Sequence, residues 1–382
     1  MKKIKVGIIG TGFSANAHIE ALRRIPGVEV VGIAGSSYEK TKKAAEGLYI
    51  RKVYETYTQL IRDNEIDVIH NCTPNFVHFE INKEVLLSGK HLLSEKPLAV
   101  NSKESDELKQ LALESNALSA VCFNYRHYPL VIQAKEMIKN NDLGRIHVIH
   151  GGYLQDWLLY NHDFNWRLSS EKNGKSRAIA DIGSHWCDTL QYILGKKIVK
   201  VLADLKTVHP VRLKSKTVTS TFSQADDLET EEIPINTEDY GSVLVHFEDG
   251  IQGVFTVSQV SAGRKNKLYF EIAGAETTIA WDQEEPNKMW VGKRGEPNRE
   301  LVRDSCLLYT AASKMTHYPG GHQEGWSDGL KNLLIDFYSS IECGEKSQVD
   351  RDFATFEDGH RIMKIIEAIL ESHEKKTWVS IN

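Results

Sequence analysis

The sequence predicts an α/β domain followed by an α+β domain, and three observations carry that reading. Over the first third of the chain, short β-branched runs alternate with stretches of helical spacing, as parallel strands joined by crossover helices require. Beyond about residue 123 the alternation stops and strand-like runs follow one another across turn residues, as in an open, mostly antiparallel sheet. The length, 382 residues, gives two domains at roughly 100–200 residues each, with three as the upper limit.

In order, Ile4–Ile9 reads as the first strand, and a glycine-rich turn leads into a helix over Ala15–Arg24. Strands follow at Val28–Ala34, Asp67–Asn71, His91–Ser94 and Ser119–Phe123, with helices at Phe76–Leu87 and Ser102–Ser115. Gly89 stands where a C-cap glycine belongs. This first domain occupies residues 1–123 and the second 124–382, with no low-complexity linker between them. The second domain opens with a helix over Leu130–Lys139, then a strand, a loop and another helix. Strands at 198–206, 241–247, 251–260, 267–273 and 276–281 come next, with Glu248-Asp249-Gly250 as a turn. The stretch 214–239, with Asp226, Asp227, Glu229, Glu231 and Glu232, reads as a solvated loop or hairpin tip. Helices at 328–342 and 356–373 and a run at Thr377–Ile381 close the chain.

Charged residues make up 26% and hydrophobic ones 41%, with a net charge of −5, so neither disorder nor nucleic-acid binding is indicated. The apolar run in the first ten residues is too short for a signal sequence, and no stretch approaches the roughly 18 apolar residues of a membrane span. A cytoplasmic protein without membrane contact is the expectation. Five scattered cysteines without a Cys-x-x-Cys pair suggest reduced thiols, and no structural metal is expected.

Gly10-Thr11-Gly12-Phe13-Ser14-Ala15 follows the first strand and opens a helix, the context in which Gly-x-Gly-x-x-Ala binds a dinucleotide. The first glycine permits the turn, the second admits a pyrophosphate, and the small third residue lets helix and strand pack closely. At the end of the second strand an acid would hold the ribose hydroxyls of NAD. Gly35-Ser36-Ser37 stands there instead, with Lys40, Lys42 and Lys43 nearby, so either NADP or NAD is expected. Thr73-Pro74-Asn75, with His78 three residues on, and Glu95-Lys96-Pro97 each end a parallel strand, where ligands gather; Asn75 is also suited to capping the next helix. Asp181, His185 and Asp188 are spaced four and three residues apart on a helix running to Leu194, forming a polar stripe on an otherwise apolar surface. The spacing permits metal ligation, but no third ligand lies nearby; His185 is suited to proton transfer with Asp181 fixing its orientation. A helix cap at Asp181 and a core histidine at 185 form the structural alternative.

Taken together, Gly10-x-Gly12-x-x-Ala15, Thr73-Pro74-Asn75, Glu95-Lys96-Pro97 and Asp181-x-Gly183-x-His185 make the whole chain resemble the glucose–fructose oxidoreductase / inositol dehydrogenase (Gfo/Idh/MocA) family. The resemblance implies a Rossmann domain binding NAD(P), an α+β domain whose open sheet serves a homodimer or homotetramer, and a catalytic trio of Lys96, Asp181 and His185. Phe123–Arg126, Gly152–Trp157, Trp166-Arg167 and Pro319–His322 are similar to the sugar- and cyclitol-oxidising members of the levoglucosan and inositol dehydrogenase kind. Tyr125, Arg126, Gln155, Trp166, Arg167 and His322 are accordingly the candidate substrate contacts, and the expected reaction is hydride transfer between a secondary hydroxyl of a polyol or sugar and nicotinamide. His185 or Lys96 would take the hydroxyl proton. A non-sugar reductase of the dihydrodiol or tetrapyrrole type, and a non-catalytic dinucleotide sensor, are the competing readings.

Overall fold

The computed structural model describes residues 3–215, 230–344 and 351–381. Its first ten dozen residues alternate as expected: β1 (Ile4–Ile9), α1 (Phe13–Arg23), β2 (Val28–Ala34), α2 (Tyr38–Gly47), β3 (Lys52–Tyr54), α3 (Tyr57–Arg62), β4 (Val68–Asn71), α4 (His78–Leu87), β5 (His91–Ser94), α5 (Ser102–Glu114) and β6 (Ser119–Val121). The six strands form a parallel sheet in the order β3-β2-β1-β4-β5-β6, so the strand order reverses beside β1, where such sheets bind ligands. Sequence pattern missed β3 because three half-buried residues are too short to show a period, and missed α2 and α3 because their apolar faces are narrow. Asn75 is not a helix cap: it lies inside a 3₁₀ turn at Asn75–Val77, and Val77 precedes α4 without a side-chain cap.

The chain continues with α6 (Pro129–Lys139), β7 (Ile146–Leu154), α7 (Ser170–Asn173), α8 (Ser184–Leu194), β8 (Ile198–Lys206), β9 (Val211–Ser215), β10 (Thr230–Pro234), β11 (Tyr240–Phe247), β12 (Gln252–Ser258), β13 (Lys267–Gly274), β14 (Thr278–Asp282), β15 (Lys288–Gly292), β16 (Arg299–Val302) and α9 (Thr310–Lys314). It ends with α10 (Trp326–Glu342), α11 (Phe356–Lys375) and β17 (Val379–Ser380). Nine strands form a sheet in the order β16-β15-β14-β13-β7-β12-β11-β8-β17, antiparallel throughout except for the β7–β12 pair. Strict alternation of burial along β11 and β13 gives it one covered face. On that face α8 lays Trp186 against Phe255, ring centroids 4.5 Å apart, and Trp186 Nε1 donates to the Tyr269 carbonyl. The other face carries the half-exposed Val148, Leu244 and Trp290. No helix among the described residues is long and apolar enough to cross a membrane.

Two readings of the sequence need correction. The chain divides into units comprising 1–128 with 326–363, and 129–325 with 364–382. The first domain is thus not confined to 1–123: Leu330, Leu333, Leu334 and Phe337 of α10 complete the same hydrophobic cluster as Val6, Ile8, Ile19 and Ile33. Second, 214–239 is a solvated hairpin only in part. Asp226, Asp227 and Glu229 lie outside the described residues; Glu231 and Glu232 are exposed on β10, which pairs antiparallel with β9 as the hairpin reading expects, but Glu238 and Asp239 are buried.

Candidate active site

The glycine-rich turn has the geometry a dinucleotide needs. Gly10 adopts φ +119°, and a Cβ there would lie 2.4 Å from the Cys72 carbonyl oxygen, so no other residue fits. Gly12 precedes α1, and a Cβ built on it meets nothing within 4 Å, leaving room for a bound group. Helix α1 begins with no side-chain cap and no acid in its first turn, so its N–H groups and partial positive charge remain available to an anion. Ala15 is buried, Ser14 half-buried, and Phe13 is 57% exposed with its ring 5.7 Å from that of Trp326. These features fit a dinucleotide pyrophosphate. At the end of β2, Ser36 is exposed and Ser37 stands at the start of α2 without a side-chain cap bond.

Beyond β4 and β5, buried amides tie the two remaining turns together. Thr73 Oγ1 donates to Asn71 Oδ1 at 2.6 Å, Asn71 Nδ2 to Asn82 Oδ1 at 2.8 Å, and Asn82 Nδ2 to Ser94 Oγ at 2.9 Å. His78 joins the same turns from below, its ring nitrogens 2.8 Å from the Thr73 carbonyl and 2.7 Å from that of Pro97. Fully buried, with its pKa pushed down by burial, His78 supports these turns and has no surface to offer a cofactor. Pro74 leads the 3₁₀ turn in which Asn75 is buried. The Glu95 carboxylate turns inward: His18 Nε2–H donates to Oε1 at 3.1 Å, and the Lys96 backbone N–H to Oε2 at 3.1 Å. Burial would raise the Glu95 carboxyl, but the hydrogen bond and charge of His18, aided by Lys96, outweigh it and bring the pKa down to about 2. His18 also shares a proton with His70, Nδ1 to Nδ1 at 2.8 Å, and His70 Nε2 meets the Tyr338 hydroxyl at 2.9 Å. His18, Glu95 and Cys122 offer atoms within 4.8 Å of one another, a spacing a metal ion could use. The hydrogen bonds account for that spacing. Lys96 is half-buried at the rim. Tyr125 and Arg126, expected in a sugar pocket, are buried: Tyr125 stacks on Tyr128 at 5.6 Å, and Arg126 pairs with Asp358 at 3.5 Å.

In the second unit Asp181 and His185 lie on one continuous helical stretch, but Ile179–Gly183 forms a π-helical turn before α8 begins at Ser184. Asp181 is therefore inside the helix and not its cap, and the wide turn alters its offset from His185; such turns recur at functional sites. His185 and Asp188, three residues apart on α8, are both buried. The Asp181 Oδ2 accepts from Gln259 Nε2 at 2.9 Å. The Tyr153 ring lies 6.1 Å from that of His185, and its hydroxyl donates to Asn266 Oδ1. Gln155 joins the same group, donating to Asn266 at 2.9 Å and accepting from Trp157 Nε1 at 2.8 Å. Trp166 and Arg167 form a separate pair, the guanidinium 4.6 Å from the ring centroid. His322 is exposed, on a loop anchored by Arg303, which donates to the carbonyls of Tyr318 and His322 and pairs with Glu324 at 3.0 Å. Sequence reasoning overlooked His18, Asn71, Asn82, Tyr153, Asn266 and Gln259. Only Tyr153, inside a stretch already singled out, carried any local mark.

Residues 4–123 match the model of an oxidoreductase family with an NAD-binding Rossmann fold, and residues 131–280 match the GFO/IDH/MocA C-terminal domain. A levoglucosan dehydrogenase from Pseudarthrobacter phenanthrenivorans is 30% identical over 400 aligned positions, covering 100% of this chain and 99% of the relative. The chain belongs to the Gfo/Idh/MocA oxidoreductase family. Among other relatives, a glucose-6-phosphate 3-dehydrogenase from Bacillus subtilis is 24% identical over 383 positions, covering 99% of each chain. A solved levoglucosan dehydrogenase in complex with NADH and L-sorbose superposes with a TM-score of 0.89 at 27% identity, covering 100% of both chains. The first unit of this Gfo/Idh/MocA protein is thus an NAD-binding Rossmann domain, and the chain is an oxidoreductase.

Proposed function

We propose that the protein transfers hydride between a secondary hydroxyl of a sugar, anhydrosugar or cyclitol and a nicotinamide cofactor. The observation that carries the reading is the neighbourhood of His185: Tyr153 beside it belongs to a hydrogen-bonded group with Gln155, Trp157 and Asn266, the mixture of aromatic faces and amides that suits a hydroxyl-rich ring. Gly10, Gly12 and the start of α1 would hold the pyrophosphate, and Ser36 and Ser37 the ribose end. The bound nicotinamide supplies the hydride-accepting carbon. His185, with Asp181 setting its orientation, takes the proton from the substrate hydroxyl, and Lys96 stabilises the alkoxide as it develops. The serines at 36 and 37, with no carboxylate to repel a 2′-phosphate, admit NADP as well as NAD. The relatives named as levoglucosan dehydrogenase and glucose-6-phosphate 3-dehydrogenase support a sugar as the substrate class.

A panel of inositol, glucose and levoglucosan against cyclohexanol, with NAD and NADP, tests this by following absorbance of the reduced nicotinamide. A site made to hydrogen-bond several hydroxyls rejects an analogue that leaves its polar groups unpaired. One of the polyols should exceed cyclohexanol in kcat/KM by at least about a hundredfold, and His185→Ala should lower turnover by about the same factor. Comparable kcat/KM for cyclohexanol would favour a non-sugar reductase.

A further inference from the structure

We propose that Gln259 is a positioning residue that fixes Asp181 as a hydrogen-bond acceptor, with the buried Arg177 setting the polarity of its amide. Gln259 and Arg177 are both wholly inaccessible to solvent, at 0% exposure. Arg177 Nη1 donates to Gln259 Oε1 at 2.7 Å, and Gln259 Nε2 donates to Asp181 Oδ2 at 2.9 Å. A guanidinium has donors only, so the amide oxygen must face Arg177 and the amide nitrogen must face Asp181. The amide cannot flip without setting two donors against each other. Asp181 Oδ2 must therefore receive a proton and not carry one, which favours the carboxylate over the carboxylic acid.

Arg177 is itself held in place. Its Nε donates to Thr237 Oγ1 at 3.2 Å, and its Nη2 pairs with Asp239 Oδ1, which Arg212 Nη2 also approaches at 2.7 Å. The Glu238 carboxylate takes the backbone N–H of Arg177 and of Ile179, each at 2.9 Å, and so anchors the start of the π-helical turn that carries Asp181. Burying a guanidinium, an amide and two carboxylates costs desolvation that apolar residues of similar size would avoid. The arrangement directs one amide N–H at one oxygen of Asp181. Its consequence for catalysis rests on the proposed part of Asp181 in proton transfer.

The test reads the Asp181 carboxyl directly and does not depend on knowing the substrate. In the full chain labelled with aspartate enriched in ¹³C at the carboxyl, the Asp181 resonance is assigned by its loss in Asp181→Asn and titrated by NMR in the parent, Gln259→Leu and Gln259→Glu. Glutamate keeps the shape and the acceptor for Arg177 but faces Asp181 with an oxygen, so it serves where leucine disturbs folding; thermal midpoints verify that each variant is folded. Both variants should raise the Asp181 pKa by at least about one unit, glutamate more than leucine. An unchanged Asp181 titration in the folded variants overturns the inference. A parallel assay on the best polyol separates the two claims: Asp181→Asn with normal turnover refutes the role of Asp181 and leaves the positioning to be judged by NMR. If Asp181→Asn is inactive, Gln259→Leu should lower kcat about tenfold or more with KM little changed, and move the acidic limb of the kcat profile to higher pH.

Discussion

At the residue scale the glycine motif behaves as its spacing predicts, since Gly10 has both a positive φ and a backbone carbonyl where a side chain would be. Its neighbours in the motif differ in use: Ala15 is packed and Phe13 exposed. Ser36, exposed beyond β2, is the position at which cofactor preference should be decided. A carboxylate there would accept from the ribose hydroxyls of NAD and repel a 2′-phosphate. Ser36→Asp should therefore weaken NADP binding at least about tenfold more than NAD binding, read by fluorescence titration of the reduced cofactors. An unchanged ratio would mean that Ser36 does not face the ribose. Tyr125, Arg126 and His78 show the limit of reading single residues. Each has a polar group suited to a ligand, and each is buried among protein partners that a linear motif does not display.

At the scale of elements, the helix bearing Asp181 and His185 is held by a segment whose composition suggested solvent. Glu238 and Asp239, just before β11, are acidic, yet both are buried because Ser176, Arg177 and Arg212 meet them. Burial alone would raise the Asp239 carboxyl, but Arg177, the backbone N–H of His209 and Arg212 hold it below its ordinary value. Replacing Asp239 with Ala leaves two buried guanidinium groups without their shared anion and should cost about 3–5 kcal/mol in urea unfolding. The sign of the pH dependence follows from the depressed pKa: the carboxylate contributes fully above the unfolded value of about 3.9 and loses its contribution as pH falls toward the folded one. The stability gap between the parent and Asp239→Asn should narrow on acidification below about pH 4. A gap independent of pH would show that packing, not charge, is what Asp239 supplies.

For the whole molecule, the main surprise is that the Rossmann unit takes α10 from some two hundred residues downstream of its last strand. Phe337 meets Tyr338 and Phe353 edge to face, at 5.6 and 5.5 Å, inside the cluster that includes Val6 and Ile8. Phe337→Ala should destabilise the first unit by about 3–5 kcal/mol, measured by hydrogen exchange of β1 and β4 amides. A fragment ending at residue 123 should lack cooperative unfolding, because the apolar side of α1 would lose its cover. A cooperatively folded 1–123 fragment would show that α10 is dispensable.

The sequence by itself determined the parallel first sheet, the glycine turn between β1 and α1, the mostly antiparallel second sheet and the placing of Asp181 and His185 on one helical stretch. Each of these is local: a period of 2 or 3.6, a glycine at a turn, or two residues one turn apart leaves its mark within a dozen positions. Only the tertiary structure decided the membership of α10, the burial of Glu238 and Asp239, the inward aim of Glu95 at His18, and the line from Arg177 through Gln259 to Asp181. Gln259 lies 78 positions from Asp181, and Tyr338 lies 268 from His70. A buried polar side chain is recognisable only through the partner that satisfies it, and at such separations the chain's path, not its local pattern, selects the partner.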